Sequence, residues 1–208
     1  MPVCYREIIG EETEMVLWEI TETEAALETG LSLSVEALQR LSQRKSDVHR
    51  KGYLAIRHLL KLLNVPPEMH QYDNIGAPYL TDGRFISISH TQDLAAVVLS
   101  SASVGIDLEQ YKEKIKKISS RFLHQSEIHK PNEIEEIVYL TQIWTAKEAL
   151  YKLHKKPGLI FSEQLRIQPF KKESIRGIGL VIEEDKTTQV TLHFRRFEHY
   201  FLTLATTK

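Results

Sequence analysis

The C-terminal half of the chain contains the stretch Trp144-Thr145-Ala146-Lys147-Glu148-Ala149-Leu150-Tyr151-Lys152. Apolar residues upstream recur at helical spacing, and Pro157-Gly158 ends the pattern, so the stretch is predicted to belong to a long helix over 133–153. Residues three and four apart are neighbours on a helix, which places Trp144, Glu148 and Lys152 on one side. Two interpretations remain open at this point: an ordinary exposed Glu–Lys pair, or one wall of a phosphate-handling site.

An apolar strand upstream carries two acidic residues in the sequence Gly105-Ile106-Asp107-Leu108-Glu109. Alternate residues of a strand point to the same side, so Asp107 and Glu109 are predicted to converge. Two such charges repel each other unless one is protonated or a cation lies between them. Magnesium favours a small carboxylate set that waters and phosphate oxygens complete. The alternative interpretation is a pair of solvent-facing acids at the end of a strand.

The N-terminal half changes its charge along the chain. An acidic segment up to Glu28 precedes a basic segment, and the second is predicted to form a long helix that ends near Asn64 and Pro66-Pro67. Candidate phosphate contacts in this segment are Lys45, Arg50 and Arg57. A solvated basic helix face explains the same residues, so both interpretations stay open.

Short apolar runs predict strands in both halves. After a turn-rich segment over 72–84, Arg84 to His90 alternates as a strand and Leu94 to Leu99 follows as a buried one. The C-terminal region is predicted to be rich in strands, at 165–167, 178–182, 190–194 and 200–204.

The composition limits the class of protein. The 208 residues are 42% hydrophobic and 26% charged, as in a soluble globular protein, and the formal net charge of -1 argues against a nucleic-acid partner. A single cysteine, Cys4, excludes an internal disulfide and a cysteine-based zinc site. No signal pattern and no apolar run long enough for a bilayer are visible, so we expect a cytoplasmic protein without a membrane partner.

Four motifs in order resemble the 4'-phosphopantetheinyl transferases, over roughly residues 44–168. They are Ile88-Ser89-His90, the stretch 105–109, Arg121-Phe122 with Glu127, and the stretch 144–152. The second and fourth are specific as a pair, about forty residues apart. The length and the long N-terminal half are similar to the two-lobed type of this family, which activates carrier proteins of peptide, polyketide and fatty-acid synthesis.

The resemblance implies an α+β fold, a pseudo-dimer of two similar lobes, each a small antiparallel sheet packed with a long helix. We place the N-terminal lobe at 1–102 and the C-terminal lobe, with the magnesium site, at 103–208. Coenzyme A would lie in the cleft between the lobes, and a monomer is expected because a pseudo-dimeric chain has less need to pair.

The resemblance also implies a reaction and a set of site residues. The 4'-phosphopantetheine group would pass from coenzyme A to a serine of an apo acyl or peptidyl carrier protein, releasing adenosine 3',5'-bisphosphate. Magnesium would be bound by Asp107, Glu109 and Glu148, and Glu148 would also be the base. Contacts to coenzyme A would come from Lys147 and Lys152 at the pyrophosphate, Ser89 and His90 at the phosphates, and Lys45, Arg50 and Arg57 near the adenosine.

The sequence departs from the family at Gly76-Ala77-Pro78, where a phosphate-contacting lysine is frequent at the middle position. Thr91 and Gln92 also stand where a serine and a glycine are expected. Two alternatives accompany the transferase. One is a different magnesium-dependent enzyme that transfers phosphoryl groups or cleaves diphosphates with the same carboxylates. The other, which the departure at Ala77 favours, is a catalytically impaired homologue that only binds coenzyme A or a carrier protein.

Overall fold

The computed structural model describes residues 2–128 and 133–207. The chain divides into two compact units, residues 1–101 and 102–208. In the described parts of both units the sheets are antiparallel and the helices pack beside them, which defines a mixed α+β protein. None of the described helices has the length and apolarity to cross a bilayer.

The first unit is built around a four-stranded sheet and a long helix. Its elements are β1 (Val3–Ile9), β2 (Thr13–Glu19), α1 (Glu24–Glu28), α2 (Val35–Ser42), α3 (Asp47–Leu62), β3 (His70–Tyr72), β4 (Pro78–Leu80), β5 (Phe85–His90) and β6 (Leu94–Ser100). The sheet has the order β1-β2-β6-β5, and β3 and β4 form a separate hairpin. The strands predicted at 84–90 and 94–99 are confirmed as β5 and β6.

Local sequence signals define the ends of the long helix α3. The Ser46 side chain accepts a hydrogen bond from His49 N at 3.2 Å, and the chain leaves the helix through Asn64, whose φ is +53°. The helix packs against the sheet through an apolar face that includes Leu54 and Leu59, and all seven residues of β6 are buried. The predicted long helix and its end are therefore confirmed.

The second unit contains a five-stranded sheet covered by the longest helix of the described chain. Its elements are β7 (Val104–Gln110), α4 (Lys114–Phe122), α5 (Glu133–His154), α6 (Phe161–Gln164), β8 (Leu165–Ile167), β9 (Arg176–Ile182), β10 (Thr187–Phe197) and β11 (Tyr200–Thr206). The order is β7-β11-β10-β9-β8, with every neighbouring pair antiparallel. The four predicted C-terminal strands and the helix predicted over 133–153 are confirmed.

Helix α5 lies unusually close to β7 because of Gly105. A Cβ atom at this position would be 2.0 Å from the Ala149 carbonyl oxygen and 2.6 Å from Leu153 N. The backbones of strand and helix therefore touch where any side chain would keep them apart. Asp107 and Glu109 share the Gly105 side of the strand, so the same close approach turns their carboxylates toward α5.

We predict that Gly105→Ala is strongly destabilising, by about 3 kcal/mol or more, because the added methyl meets helix backbone that cannot rotate away. Urea unfolding followed by circular dichroism measures this cost. Gly10→Ala is the matched control: Gly10 has a φ of +64°, and an added Cβ meets nothing within 4 Å. The free energy of unfolding of Gly10→Ala should therefore fall by only ~1 kcal/mol, which is the cost of placing alanine in a left-handed backbone conformation. Equal losses in the two variants would contradict the packing argument.

Candidate active site

Three carboxylates meet where β7 and α5 pack together. Asp107 is 5% exposed, and Glu109 and Glu148 are half-buried. Burial first, and then the charge of Asp107, raise the pKa of Glu148 to about 7, while Lys152 opposes the rise. The three acids therefore share one electrostatic environment, in which the family resemblance places all three.

Glu109 is held by the first residue of the helix motif. The Trp144 indole Nε1 donates a hydrogen bond to Glu109 Oε1 at 3.3 Å, and the indole packs against Phe122 and Phe161 at centroid distances of 5.1 and 5.7 Å. Burial and the charge of Asp107 raise the pKa of Glu109, while the indole hydrogen bond lowers it. Trp144 thus anchors the helix and also orients an acidic side chain.

Lys152 supplies positive charge to this cluster. Its Nζ donates to Asp107 Oδ1 at 2.7 Å and to the Ile106 carbonyl oxygen at 3.0 Å. The lysine lies one helical turn beyond Glu148, but its ion pair reaches across to β7. The simple interpretation of Glu148 and Lys152 as a self-contained surface pair is therefore wrong.

The chemistry of the acidic cluster fits a hard divalent cation. Burial first, and then the charges of Asp107 and Glu109, raise the pKa of Glu148, and Lys152 opposes this rise. Carboxylate oxygens are the ligands that a hard divalent cation prefers. Within residues 2–128 and 133–207, however, no three His, Cys, Asp or Glu side chains are gathered tightly enough to hold a metal ion. Lys152 is the cation that Asp107 contacts in this arrangement.

Lys147, expected to face the pyrophosphate, belongs instead to the protein core. Its side chain is fully buried, and Nζ lies 2.7 Å from Glu127 Oε2. The ammonium also donates to the carbonyl oxygens of Phe122 at 2.5 Å and Phe161 at 3.0 Å. The expectation for Lys147 is therefore wrong, because all three of these partners are protein groups and no surface remains for a ligand.

Glu127 extends this buried ion pair into a network. Its carboxylate accepts hydrogen bonds from His124 N and Ile167 N, both at 2.8 Å. The Tyr139 hydroxyl donates to the backbone carbonyl oxygen of Glu127 at 2.7 Å. Helix α5, the segment after α4 and strand β8 are thereby joined. The motif residues Phe122, Glu127 and Lys147 position the helix that carries Glu148.

In the first unit, Ser89 and His90 lie at the end of β5, with Ser89 buried and His90 exposed. The His90 ring packs on α3 at Gly52, where an added Cβ would lie 2.2 Å from its Cδ2. The ring also meets His49 edge-on at a centroid distance of 6.0 Å. The end of the Ser-His strand thus faces the first turns of α3.

The three basic candidates of this unit differ in their surroundings. Lys45 is exposed. Arg50 is engaged by Glu24, with Nε 2.8 and 2.7 Å from the two carboxylate oxygens, and its Nη1 donates to the Leu41 carbonyl oxygen at 3.0 Å. Arg57 lies over the Tyr53 ring, 3.9 Å from its centroid. The structure therefore does not gather the three into one cluster.

The loop that departs from the family is closed by its own hydrogen bonds. Asp73 Oδ1 accepts from Ile75 N at 3.0 Å and from Ala77 N at 2.8 Å. Arg84, a possible substitute for the missing lysine, is paired with Asp82 at 2.7 Å. A replacement for the absent charge at Ala77 is not evident in this loop.

The comparisons with known proteins identify the family. Residues 103–205 match the 4'-phosphopantetheinyl transferase superfamily. Over 114 residues the chain is 29% identical to 4'-phosphopantetheinyl transferase gsp of Aneurinibacillus migulanus, and the alignment covers 51% of this chain and 48% of that protein. The chain thus spans about half the length of this relative. The C-terminal half of the chain, which carries the acidic cluster, matches the 4'-phosphopantetheinyl transferase superfamily over nearly all of its length.

We predict that Lys147→Met costs about 3–5 kcal/mol, because it leaves the Glu127 carboxylate buried without its counter-charge. Adding Glu127→Gln to this variant should restore part of the loss, because it removes the buried charge, although the amide oxygen can accept from only one of the two backbone N–H groups that the carboxylate binds. Lys117→Met, at an exposed lysine, is the matched control and should change the free energy of unfolding by less than about 0.5 kcal/mol. A stable Lys147→Met protein that has lost only coenzyme A binding would contradict the structural role.

We predict that Glu148 makes the metal-free protein less stable as the pH rises from 4.5 to 7. Its pKa is about 7 in the folded state against an ordinary value of 4.5, so the folded state binds more protons across this window and the free energy of unfolding falls with pH. The contribution is on the order of 3 kcal/mol. Urea unfolding with a chelator present should show a flatter pH profile for Glu148→Gln and an unchanged one for Glu135→Gln. Parallel profiles for wild type and Glu148→Gln would refute the shift.

Proposed function

We propose that this protein transfers the 4'-phosphopantetheine group of coenzyme A to a serine of an apo acyl or peptidyl carrier protein, with magnesium, releasing adenosine 3',5'-bisphosphate. The observation that carries the proposal is the placement of Glu148 with Asp107, Glu109 and Lys152 where β7 and α5 pack together, within the family-matched segment; Lys152 contacts Asp107, and Trp144 contacts Glu109. The name of the relative, a 4'-phosphopantetheinyl transferase, supports the same reaction.

Magnesium would be held by Asp107, Glu109 and Glu148, where it would neutralise charge that develops on the diphosphate oxygens. Without it, the cluster holds more negative charge than Lys152 balances. A bound divalent ion would favour the carboxylate form of Glu148, because a nearby positive charge lowers the pKa of an acid. Trp144 would keep Glu109 turned toward the same position through its indole hydrogen bond.

Glu148 would be the base for the incoming serine. A serine hydroxyl is a weak nucleophile and needs an acceptor for its proton within hydrogen-bond reach. The serine oxygen would form a bond to the phosphorus bearing the pantetheine, and the bond from this phosphorus to the bridging oxygen would break. Glu148 would take the serine proton, and adenosine 3',5'-bisphosphate would leave with the bridging oxygen. With the divalent ion bound, Glu148 would be a carboxylate at neutral pH and so able to accept this proton.

Lys152 would stabilise the diphosphate during this step. Its ammonium group lies beside Asp107 and is partly exposed, so an incoming phosphate oxygen could share it. Lys147 is left out of this role because it has no exposed surface.

The first unit would bind the rest of coenzyme A. We propose phosphate contacts for Ser89 and His90, with Lys45 and Arg50 nearer the adenosine, Arg50 first releasing Glu24. This requires the pseudo-dimeric arrangement of lobes 1–102 and 103–208 that the family implies. The proposal is for a cytoplasmic monomer that acts on coenzyme A and a carrier protein, and on neither nucleic acid nor membrane.

A second candidate function is binding of coenzyme A or a carrier protein without transfer. Ala77 favours it, because the family's frequent lysine is absent there and Arg84 is already paired with Asp82. The two candidates share a ligand and differ in whether a covalent product forms.

We predict that incubation with coenzyme A, magnesium and a panel of apo carrier proteins adds one phosphopantetheine group to a carrier, as mass spectrometry measures. Glu148→Gln should lower kcat by about 10²–10⁴-fold, because the amide cannot accept the serine proton. Glu135→Gln, on the same helix and paired with Lys172 at 3.2 Å, is the matched control and should retain the wild-type rate.

Each other outcome selects a different conclusion. Binding of coenzyme A with no carrier modified across the panel would favour the impaired homologue. Consumption of coenzyme A in the absence of any carrier would favour a diphosphate-cleaving enzyme. A normal rate for Glu148→Gln would remove this residue from the proposed mechanism.

A further inference from the structure

The first unit contains a cavity of about 490 Å³ beside helix α3. The segment before α2, helix α2, the outer face of α3 and the loop that leads into β3 enclose it. Its apolar wall consists of Leu31, Leu33, Ala37, Leu60 and Val65. This volume is in the range of pockets that bind small organic molecules.

Two residues that line this cavity each carry a buried nitrogen without a partner at hydrogen-bond geometry among the described residues, Arg57 Nη1 and His70 Nε2. The Tyr53 hydroxyl is buried beside them and interacts with the Arg57 side chain. Buried polar atoms are nearly always paired, since leaving one unpaired costs about 1–3 kcal/mol. A hydrogen-bond acceptor bound in the cavity would give these groups the partners they lack.

The charges around the cavity select an anion. Its lining contains the cations Arg40, Arg57 and Lys61 against a single carboxylate, Glu36. Burial first, and then the charges of Arg57 and Arg40, lower the pKa of His70 to about 3, so the imidazole is neutral at physiological pH. Arginine and tyrosine donors suit a group that accepts several hydrogen bonds.

Aromatic contacts hold these donors in place before any ligand arrives. The Arg57 and Arg44 guanidinium groups lie 3.9 and 4.1 Å from the centroid of the Tyr53 ring. Arg40 lies 4.2 Å from the Tyr72 centroid, and this ring meets His70 at 4.8 Å. A site that is ordered in advance loses less conformational entropy on binding.

The cavity is distinct from the region of Ser89 and His90. On α3, His49 and Gly52 face His90, whereas Tyr53, Arg57 and Leu60 face the cavity. None of the residues at the end of β5 lines the cavity. Arg57 therefore points to a place other than the one expected for the phosphates of coenzyme A.

We propose that this cavity is a binding site for a small organic anion with an apolar body, separate from the coenzyme A site. The head group, a carboxylate or a phosphomonoester, accepts hydrogen bonds from Arg57 and Tyr53 and lies beside His70. The body packs against Leu31, Leu33 and Leu60. Arg57, expected from the sequence to contact the adenosine end of coenzyme A, is reassigned to this site.

The test measures binding of octanoate and octyl phosphate to the full-length protein by isothermal titration calorimetry. Octanol and inorganic phosphate are the reference compounds, because the first lacks the charge and the second lacks the apolar body. We expect at least one of the two amphiphiles to bind about tenfold or more tightly than either reference. Octanoate alone would identify the carboxylate head, and octyl phosphate alone the phosphomonoester.

Variants connect this binding to the cavity. Arg57→Gln should weaken it about tenfold or more, and Tyr53→Phe, which keeps the ring stacking and removes only the hydroxyl, about threefold or more. Arg176→Gln, an exposed arginine on β9, should leave it unchanged. Bound anion should also raise the pKa of His70 above its value in the free protein, as NMR titration of the ring measures.

Four results would overturn the proposal. They are no saturable binding of either amphiphile, equal affinity for octanol, undiminished binding in both Arg57→Gln and Tyr53→Phe, or competitive displacement by coenzyme A. The last result would place the cavity within the coenzyme A site. None of these measurements depends on phosphopantetheine transfer, so failure here and failure of the proposed function are separable.

Discussion

The direct contact between the backbones of β7 and α5 at Gly105 determines the chemistry of the second unit. A methyl group at this position would meet the Ala149 carbonyl oxygen at 2.0 Å, so only glycine allows the helix to lie against the strand. The contact places Asp107 and Glu109 opposite the side of α5 that carries Glu148 and Lys152. It also accounts for the burial that raises the pKa of Glu148 to about 7. Proximity of the acids is therefore a consequence of packing at a residue that takes no part in the chemistry.

A second layer of contacts keeps α5 in that position. Lys147 and Glu127 form a buried ion pair, and Trp144 packs between Phe122 and Phe161 while donating to Glu109. Adjacent positions on one helix thus have different tasks: Lys147 holds the helix to the core, and Glu148 faces the acidic cluster. The nine-residue motif over 144–152 therefore contains both residues that hold the helix in place and residues of the acidic cluster.

Sequence patterns predicted the strands, the long helices and the convergence of Asp107 with Glu109, because these depend on local periodicity. They failed for Lys147, since a lysine is rarely buried and nothing nearby in the sequence marks Glu127, twenty positions away, as its partner. They also missed that Lys152 pairs with Asp107 across two elements. The cavity with Tyr53 and His70 was not predicted, because segments near residues 30, 57 and 70 form it only after folding. Ion pairs and cavities formed by residues far apart in the sequence could not be predicted from local sequence patterns.

The Lys147–Glu127 pair constrains how this chain can change over time. Replacing either partner alone leaves a charge stranded in the core, so the protein passes through a poorly folded state before the second replacement arrives. Each position is fixed as long as the other is present, and only a joint exchange escapes. We therefore expect Lys147 and Glu127 to be kept or exchanged together, because the pair serves folding and does not need contact with a substrate.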